Sequence, residues 1–241
     1  MSLNAKNYKQ ESKFKRPDPV EPGTYPARIV QIVSLGLQKQ NPYKGEAKDP
    51  KHMLYITYEM LDEFLKDDDG NDIEDKPRWL SEDFPMHSLD ADLAKSTKRY
   101  LAIDPTMEYE GDWAQLAGAP CMITVIQRPS SKDKDIVFNN VSGVSSMRPK
   151  EAAKAPELKN PAKVFDLDEP DIEVFLSFPE WLQTRIKENL EYEGSVLEKA
   201  LAKHTKGGAA DEPKAKQQKA KVADEPEEAD ADEEDSDDEN W

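Results

Sequence analysis

Residues 23–37, GTYPARIVQIVSLGL, carry the clearest β-strand pattern of this 241-residue chain. The β-branched residues Ile29, Val30, Ile32 and Val33 favour extended backbone. Gly36 indicates a bulge or bend late in the segment, because glycine inside a strand pattern often marks one. The segment therefore predicts a long and bent first strand.

Residues 52–61, HMLYITYEML, continue the β pattern beyond a polar loop at 38–51. Leu54, Ile56, Tyr58 and Met60 fall on one side of such a strand, and the intervening residues fall on the other. This alternation predicts a half-buried strand with one solvated face.

Residues 67–71, DDDGN, predict a hairpin tip. A calcium loop is the alternative, but glycine at its sixth position would place Leu65 at the first ligand position. The ligand pattern therefore fails, and RWLSEDF (78–84) is predicted to return as an antiparallel third strand.

Two more strands are predicted at 120–128 and 136–144, joined by a polar loop at 130–135. Leu89, Leu93, Tyr100 and Leu101 have helical spacing and predict a helix over 89–102. Five strands with a helix between the third and fourth are typical of the OB-fold. The prediction is a mainly β protein with an OB-fold-like five-stranded Greek-key barrel.

The segments on either side of this domain differ in composition. A flexible basic arm is predicted at 1–19, the OB-fold domain at 20–147 and a Pro/Ala/Lys linker at 148–163. A short helical segment is predicted at 164–205, with helices opened by Ser177–Glu180 and Ser195–Glu198 capping patterns. Residues 206–241 are predicted to be a disordered acidic tail. Whether residues 164–205 pack on the barrel or on a second subunit is left open.

The formal net charge of -17 is unevenly distributed. Residues 223–241 hold 12 acidic residues and no basic one, which leaves 33 basic and 38 acidic residues, a net charge of -5, in 1–222. The total charge argues against a nucleic-acid partner, but the charge of the first 222 residues does not.

Several classes of protein are excluded or disfavoured by the residue content. No apolar run is long enough to span a membrane, and no signal peptide is expected. One cysteine, Cys121, and three scattered histidines disfavour a disulfide framework, a metal site and a catalytic cluster. No nucleotide-binding or nucleophile-elbow motif occurs. We therefore expect a cytoplasmic protein that is not an enzyme and has no cofactor.

Aromatic and basic residues alternate along the predicted strands and loops, which is the residue pattern of single-strand binding surfaces. Aromatic rings stack on bases, and lysine and arginine contact phosphates. The alternative is that the aromatic residues are core and the basic residues solvated surface. The candidate DNA-binding residues are Arg28, Lys39, Tyr43, Lys44, Lys51, Tyr55, Arg78, Trp79, Arg128, Lys132, Lys134 and Phe138.

The C-terminal DDENW ends an acidic run on a large aromatic residue. This pattern predicts a partner-binding hook, in which the indole fills an apolar pocket and the carboxylates meet a basic rim. A solubility tail with an incidental tryptophan is the alternative. The candidate partner-binding residues are Asp235, Asp237, Asp238, Glu239 and Trp241.

The order of these features resembles bacteriophage single-stranded DNA-binding proteins. The resemblance rests on PGTYPARIVQIVSLGLQ (22–38), the lysine-bearing loop, RWLSEDF, GAPCMITV (118–125), IVFNNVSGVSSM, FPEWLQTRIKENLEY and the acidic tail. It implies an OB-fold domain that coats single-stranded DNA without sequence preference in phage replication and recombination. It also implies that the tail recruits replication proteins, such as a DNA polymerase or a primase-helicase, and competes with DNA. The family's terminal aromatic is usually phenylalanine, and Trp241 departs from that pattern.

A second hypothesis from a different class is an acidic interaction or chaperone-like protein that binds basic partners through its tail. The two hypotheses differ in the expected effect of deleting the tail. The deletion should strengthen DNA binding in the first case and abolish partner binding in the second.

Overall fold

The structure is a computed structural model that describes residues 17–42, 44–130, 134 and 136–207. Its strands are β1 (Gly23–Gln38), β2 (Lys51–Lys66), β3 (Asp72–Pro85), β4 (Pro120–Pro129), β5 (Val137–Ser146) and β6 (Lys163–Phe165). Its α-helices are α1 (Lys95–Ile103), α2 (Pro149–Ala152), α3 (Ile172–Leu176), α4 (Glu180–Lys187) and α5 (Val196–Gly207), and a 3₁₀ helix spans Trp113–Leu116. The chain is therefore mainly β, as predicted.

The strands of the described residues form one six-stranded sheet in the order β3-β2-β1-β4-β5, with β6 added beside β1. The β1 strand pairs with β4 through residues 23–28 and with β6 through residues 31–33. The neighbours along the five-strand path are antiparallel, and β6 is parallel to β1. Two strands thus share one edge of β1, which is possible because β1 is 16 residues long.

The sheet is not closed into a barrel, and it has one strand more than predicted. Arg99 of α1 connects the two ends of the five-strand path. Its guanidinium donates to both carboxylate oxygens of Glu82 on β3, at 2.9 and 3.1 Å, and to the Val141 carbonyl on β5 at 3.5 Å. The end strands are therefore joined through a helix side chain.

Each face of the sheet has its own hydrophobic core. The first core contains Ile29, Ile56, Tyr58 and Phe84, with Tyr100 of α1 packed among them. The second lies on the opposite face, where Phe165, Phe175, Phe178, Leu182, Ile186 and Leu197 pack on Val33, Leu35 and Tyr55. Residues 164–205 therefore dock on the sheet of their own chain.

The predicted solvated face of the second strand is wrong. Tyr55, Thr57 and Glu59 are 5%, 2% and 1% exposed. The alternation along residues 52–61 is real, but the segment after β5 covers the polar side. An alternating pattern in β2 carries no information about a segment that lies about a hundred residues later in the chain and packs on its polar side.

Two of four local predictions agree with the structure. The bulge at Gly36 is confirmed, because the β1–β2 register shifts between Ser34 and Gly36. Helix α1 begins at Lys95, six residues later than predicted. The Ser177 pattern is wrong, because Ser177 is the C-cap of α3 and α4 follows Pro179. The Ser195 pattern is confirmed, because its Oγ accepts the Glu198 N–H at 3.1 Å.

Among the described residues, no helix is long and apolar enough to cross a membrane. Within the same residues, no group of three or more His, Cys, Asp or Glu side chains is arranged to hold a metal ion.

Candidate nucleic-acid interface

Five of the predicted basic residues, Lys39, Lys44, Lys51, Arg128 and Lys134, lie near the two ends of β1. Lys39 and Lys44 are exposed in the β1–β2 loop, and Lys51 is exposed at the start of β2. Tyr43, predicted beside them, lies outside the described residues. At about 3.3 Å per residue, the 16 residues of β1 separate its ends by at most about 50 Å. These lysines therefore form one of two separate basic regions.

The second basic region is the β4–β5 hairpin, near the start of β1. Arg128 and Lys134 are exposed, and half-buried Phe138 is the register partner of Arg128. Lys132 lies outside the described residues. The aromatic-basic pair predicted at this hairpin is thus brought together by strand pairing.

The N-terminal arm joins the described structure beside this hairpin. Asn139 of β5 holds Val20 at both backbone groups, accepting its N–H at 2.7 Å and donating to its carbonyl at 2.7 Å. The Gln127 side-chain amide donates to the same carbonyl at 3.0 Å. Residues 1–16, which include four lysines and Arg16, lie outside the described residues. The described chain begins at Pro17, three residues before the hydrogen-bonded Val20.

A row across three strands brings Arg28, Glu59 and Trp79 together. Register pairs Arg28 of β1 with Glu59 of β2, and Glu59 with Trp79 of β3. The Trp79 indole N–H donates to Glu59 Oε2 at 3.0 Å, and the Trp79 side chain is 37% exposed. The row therefore holds an aromatic ring by one edge while leaving part of its surface open to solvent.

The segment 154–160, which we call the strap, lies against this row. Glu59 Oε1 accepts the Lys159 backbone N–H at 2.6 Å, and Glu59 Oε2 accepts the Asn160 side-chain amide at 2.7 Å. Trp79 and Asn160 thus share one carboxylate oxygen. A buried carboxylate needs such donors, because burying an unpaired charge is costly.

Arg28, predicted to contact phosphate, instead holds the strap. Its guanidinium donates to the carbonyls of Pro156 at 2.7 Å, Gly118 at 2.8 Å and Ala155 at 3.2 Å. Its side chain is 11% exposed. The guanidinium donors of Arg28 are therefore bonded to backbone carbonyls rather than presented to a phosphate.

Tyr55, predicted to stack on a base, is covered by α4. Its ring and that of Trp181 pack edge to face, with centroids 5.7 Å apart. Burial raises the pKa of the Tyr55 hydroxyl. A stacking role for Tyr55 would require α4 to leave the sheet, so Tyr55 is not part of the interface proposed below.

Arg78 and Trp79 are adjacent in sequence but project from opposite faces of β3, because side chains alternate along a strand. Trp79 lies on the face that the strap approaches. Arg78 lies on the same face of β3 as Leu80 and Phe84, because it is an even number of residues away from each. Phe84 is in the first core and Leu80 packs against it. The pair therefore does not form one binding patch.

Three residues of this region were missed by sequence reasoning: Glu59, Lys159 and Asn160. Glu59 carries a weak sequence signal, as the one carboxylate in the largely apolar run at 53–61. Lys159 and Asn160 carry none, because they lie in a segment predicted to be a linker. The tail residues Asp235, Asp237, Asp238, Glu239 and Trp241 lie outside the described residues.

Comparison of the chain with protein-family models, with curated proteins and with solved structures finds no match.

Proposed function

We propose that this chain is a non-sequence-specific single-stranded DNA-binding protein of phage DNA replication and recombination. The observation that carries the proposal is the setting of Trp79. A large aromatic ring, 37% exposed, is hydrogen-bonded to a buried carboxylate, and the same carboxylate accepts the backbone N–H of Lys159, whose side chain is exposed. Base stacking on such a ring contributes about 1–3 kcal/mol and is tolerant of sequence.

We further propose that the sheet is a partly open OB-fold. Its five-strand path, the position of α1 between β3 and β4, and the contact of Arg99 with both end strands support this assignment. OB-folds bind oligonucleotides through strands 2 and 3 and through the β1–β2 and β4–β5 loops. In this chain Trp79 lies on β3, Lys39 and Lys44 lie in the β1–β2 loop, and Lys134 lies in the β4–β5 loop. Arg128 lies at the end of β4, beside that loop.

Binding in this proposal is stacking combined with phosphate neutralisation. Trp79 receives a base, and the exposed lysines and Arg128 contact the backbone on either side. Each phosphate contact releases a counterion, so affinity falls as salt rises. No bond in the DNA is made or broken, and the proposed function needs neither metal nor cofactor.

We assign the acidic tail two linked roles. Its 12 carboxylates in residues 223–241 compete with DNA for the basic regions, and Trp241 binds replication proteins such as a DNA polymerase or a primase-helicase. Both roles rest on the charge pattern of the sequence and on its resemblance to phage proteins.

The test measures binding of oligo-dT to the full chain and to the chain without residues 223–241, over a range of salt concentrations. We expect binding that weakens steeply with salt and becomes tighter when the tail is deleted. If neither protein binds oligo-dT at low salt, the proposal is wrong. The chaperone-like alternative gains support if only the full chain binds a cationic protein.

A further inference from the structure

We propose that the strap forms one wall of a nucleotide subsite, in which Lys159 binds the phosphate next to the base that stacks on Trp79. This inference rests on the function proposed above and identifies a DNA-contacting residue outside the strands and loops that an OB-fold uses. Trp79 forms the other wall. Glu59 acts as a positioning residue, because it is hydrogen-bonded to both Trp79 and the strap.

Glu59 links Trp79 to the strap. Its two oxygens accept three donors from two distant parts of the chain: the Trp79 indole on β3 and the Lys159 and Asn160 groups on the strap. Glu59 is 1% exposed, so its carboxylate is fully enclosed by these donors and their neighbours. The positions of ring and strap are therefore coupled through one rigid group.

Trp79 and Lys159 both remain accessible to solvent. Trp79 is 37% exposed, and the Lys159 side chain is exposed, although its backbone N–H is bound to Glu59. An exposed aromatic ring and the backbone of an exposed lysine are thus hydrogen-bonded to the same carboxylate. A base and its adjoining phosphate require this combination, since the ring supplies stacking and the ammonium supplies charge.

The strap is hydrogen-bonded to the sheet at a second place, through Arg28. Arg28 donates to two strap carbonyls, Ala155 and Pro156, and to Gly118 before β4. The strap is thereby tied to the sheet from both ends of its length, at 155–156 and at 159–160. Lys159 is presented from a fixed backbone, which lowers the entropy lost on binding.

The experiment compares Lys159→Ala with Lys98→Ala in the full chain. Lys98 is a matched control, because it is an exposed lysine on α1, which packs with the core on the opposite face of the sheet. Affinity for oligo-dT is measured from 0.05 to 0.5 M salt. One lost phosphate contact should lower the salt slope by about 0.7 and the affinity at 0.1 M salt by about fivefold.

Equal slopes and affinities for the two variants, with normal binding by the wild type, would overturn the inference and leave the proposed function standing. Absence of binding by the wild type would overturn both. Lys159→Arg provides a rescue, because it keeps the charge and should retain the wild-type slope.

Glu59→Gln tests the positioning role separately. The amide places a donor where the carboxylate accepts, so the Trp79 and strap contacts cannot all persist. We expect the fluorescence quenching that Trp79 contributes on DNA binding to shrink, where that contribution is the difference between wild type and Trp79→Phe. Unchanged quenching in a folded Glu59→Gln variant would contradict the positioning role.

Discussion

Tyr55 of β2 and Trp181 of α4 pack edge to face, with ring centroids 5.7 Å apart. Tyr55 belongs to the second core and Trp181 packs against it, where the C-terminal helices cover the sheet. Asp83 and Arg185 form an ion pair between the same two layers, from β3 to α4. The face that would otherwise present Tyr55 to a ligand is therefore part of the protein interior, and Trp79 lies outside this cover.

Replacing Tyr55 by leucine should lower stability without changing DNA affinity. The variant loses the contact with Trp181 and leaves space in the core, at a cost of about 1–3 kcal/mol in the free energy of unfolding. Affinity for oligo-dT should change less than about twofold, since a buried ring cannot stack on a base. Urea unfolding and oligo-dT titration measure the two effects. A marked loss of affinity in a folded variant would show that the cover opens to admit DNA.

Replacing Trp79 by leucine should weaken DNA binding by about 1–3 kcal/mol, the contribution of one stacked base. Trp79→Phe is the matched control, because it also loses the N–H bond to Glu59 but keeps an aromatic face. We expect the phenylalanine variant to retain most of the affinity. Titration of oligo-dT against all three proteins distinguishes stacking from the loss of the hydrogen bond, and equal losses in both variants would contradict the stacking role.

Gly36→Ala should destabilise the protein by about 2–4 kcal/mol, combining backbone strain with a steric clash. Gly36 has φ of +72°, and a Cβ there would lie 2.3 Å from Asn189 Nδ2. Asn189 cannot retreat freely, since its Oδ1 accepts the Leu37 N–H at 2.9 Å.

Gly70→Ala is the control for Gly36→Ala. Gly70 has φ of +87° in the hairpin tip, and a Cβ added there meets nothing within 4 Å. The control should show backbone strain alone, at about 1 kcal/mol. Equal unfolding free energies for the two variants would mean that Asn189 yields to the added methyl group.

Cys121 should contribute to a loss of stability at alkaline pH. Burial, together with the nearby charge of Glu82, raises the pKa of its thiol from 9.0 to about 12. In the unfolded chain the thiol ionises near pH 9, whereas in the folded protein it stays protonated. The contribution is therefore complete below pH 9 and is lost as pH rises toward about 12.

The measurement compares wild type with Cys121→Ala under reducing conditions at pH 8 and pH 10. The difference between their unfolding free energies should shift by about 1.4 kcal/mol over this range, with the wild type losing more. The cavity left by the substitution does not depend on pH and so does not affect the shift. A constant difference would mean that the folded thiol ionises as readily as the unfolded one.

Local sequence patterns predicted the five main strands because residues close together in the sequence are enough to indicate a strand or a hairpin turn. The β-branched run at 29–33, the alternation at 52–61 and the DDDGN tip all depend on contacts within a hairpin. The predicted start of α1 and the predicted cap at Ser177 are wrong, because the same residue types occur in turns and in caps. The prediction of Trp79 depended on residue type alone.

The amino-acid sequence by itself determined the alternating strands, the position of the helix after β3 and the segregation of acidic charge into residues 223–241. Only the tertiary structure decided that the sheet stays open, that residues 164–205 bury one of its faces, and that Arg28 and Glu59 hold the strap. The physical reason is that periodicity records which side of a strand is apolar or polar, whereas burial depends on what packs against it. Glu59 and Lys159 are a hundred residues apart, and only the folded chain brings them within hydrogen-bonding distance.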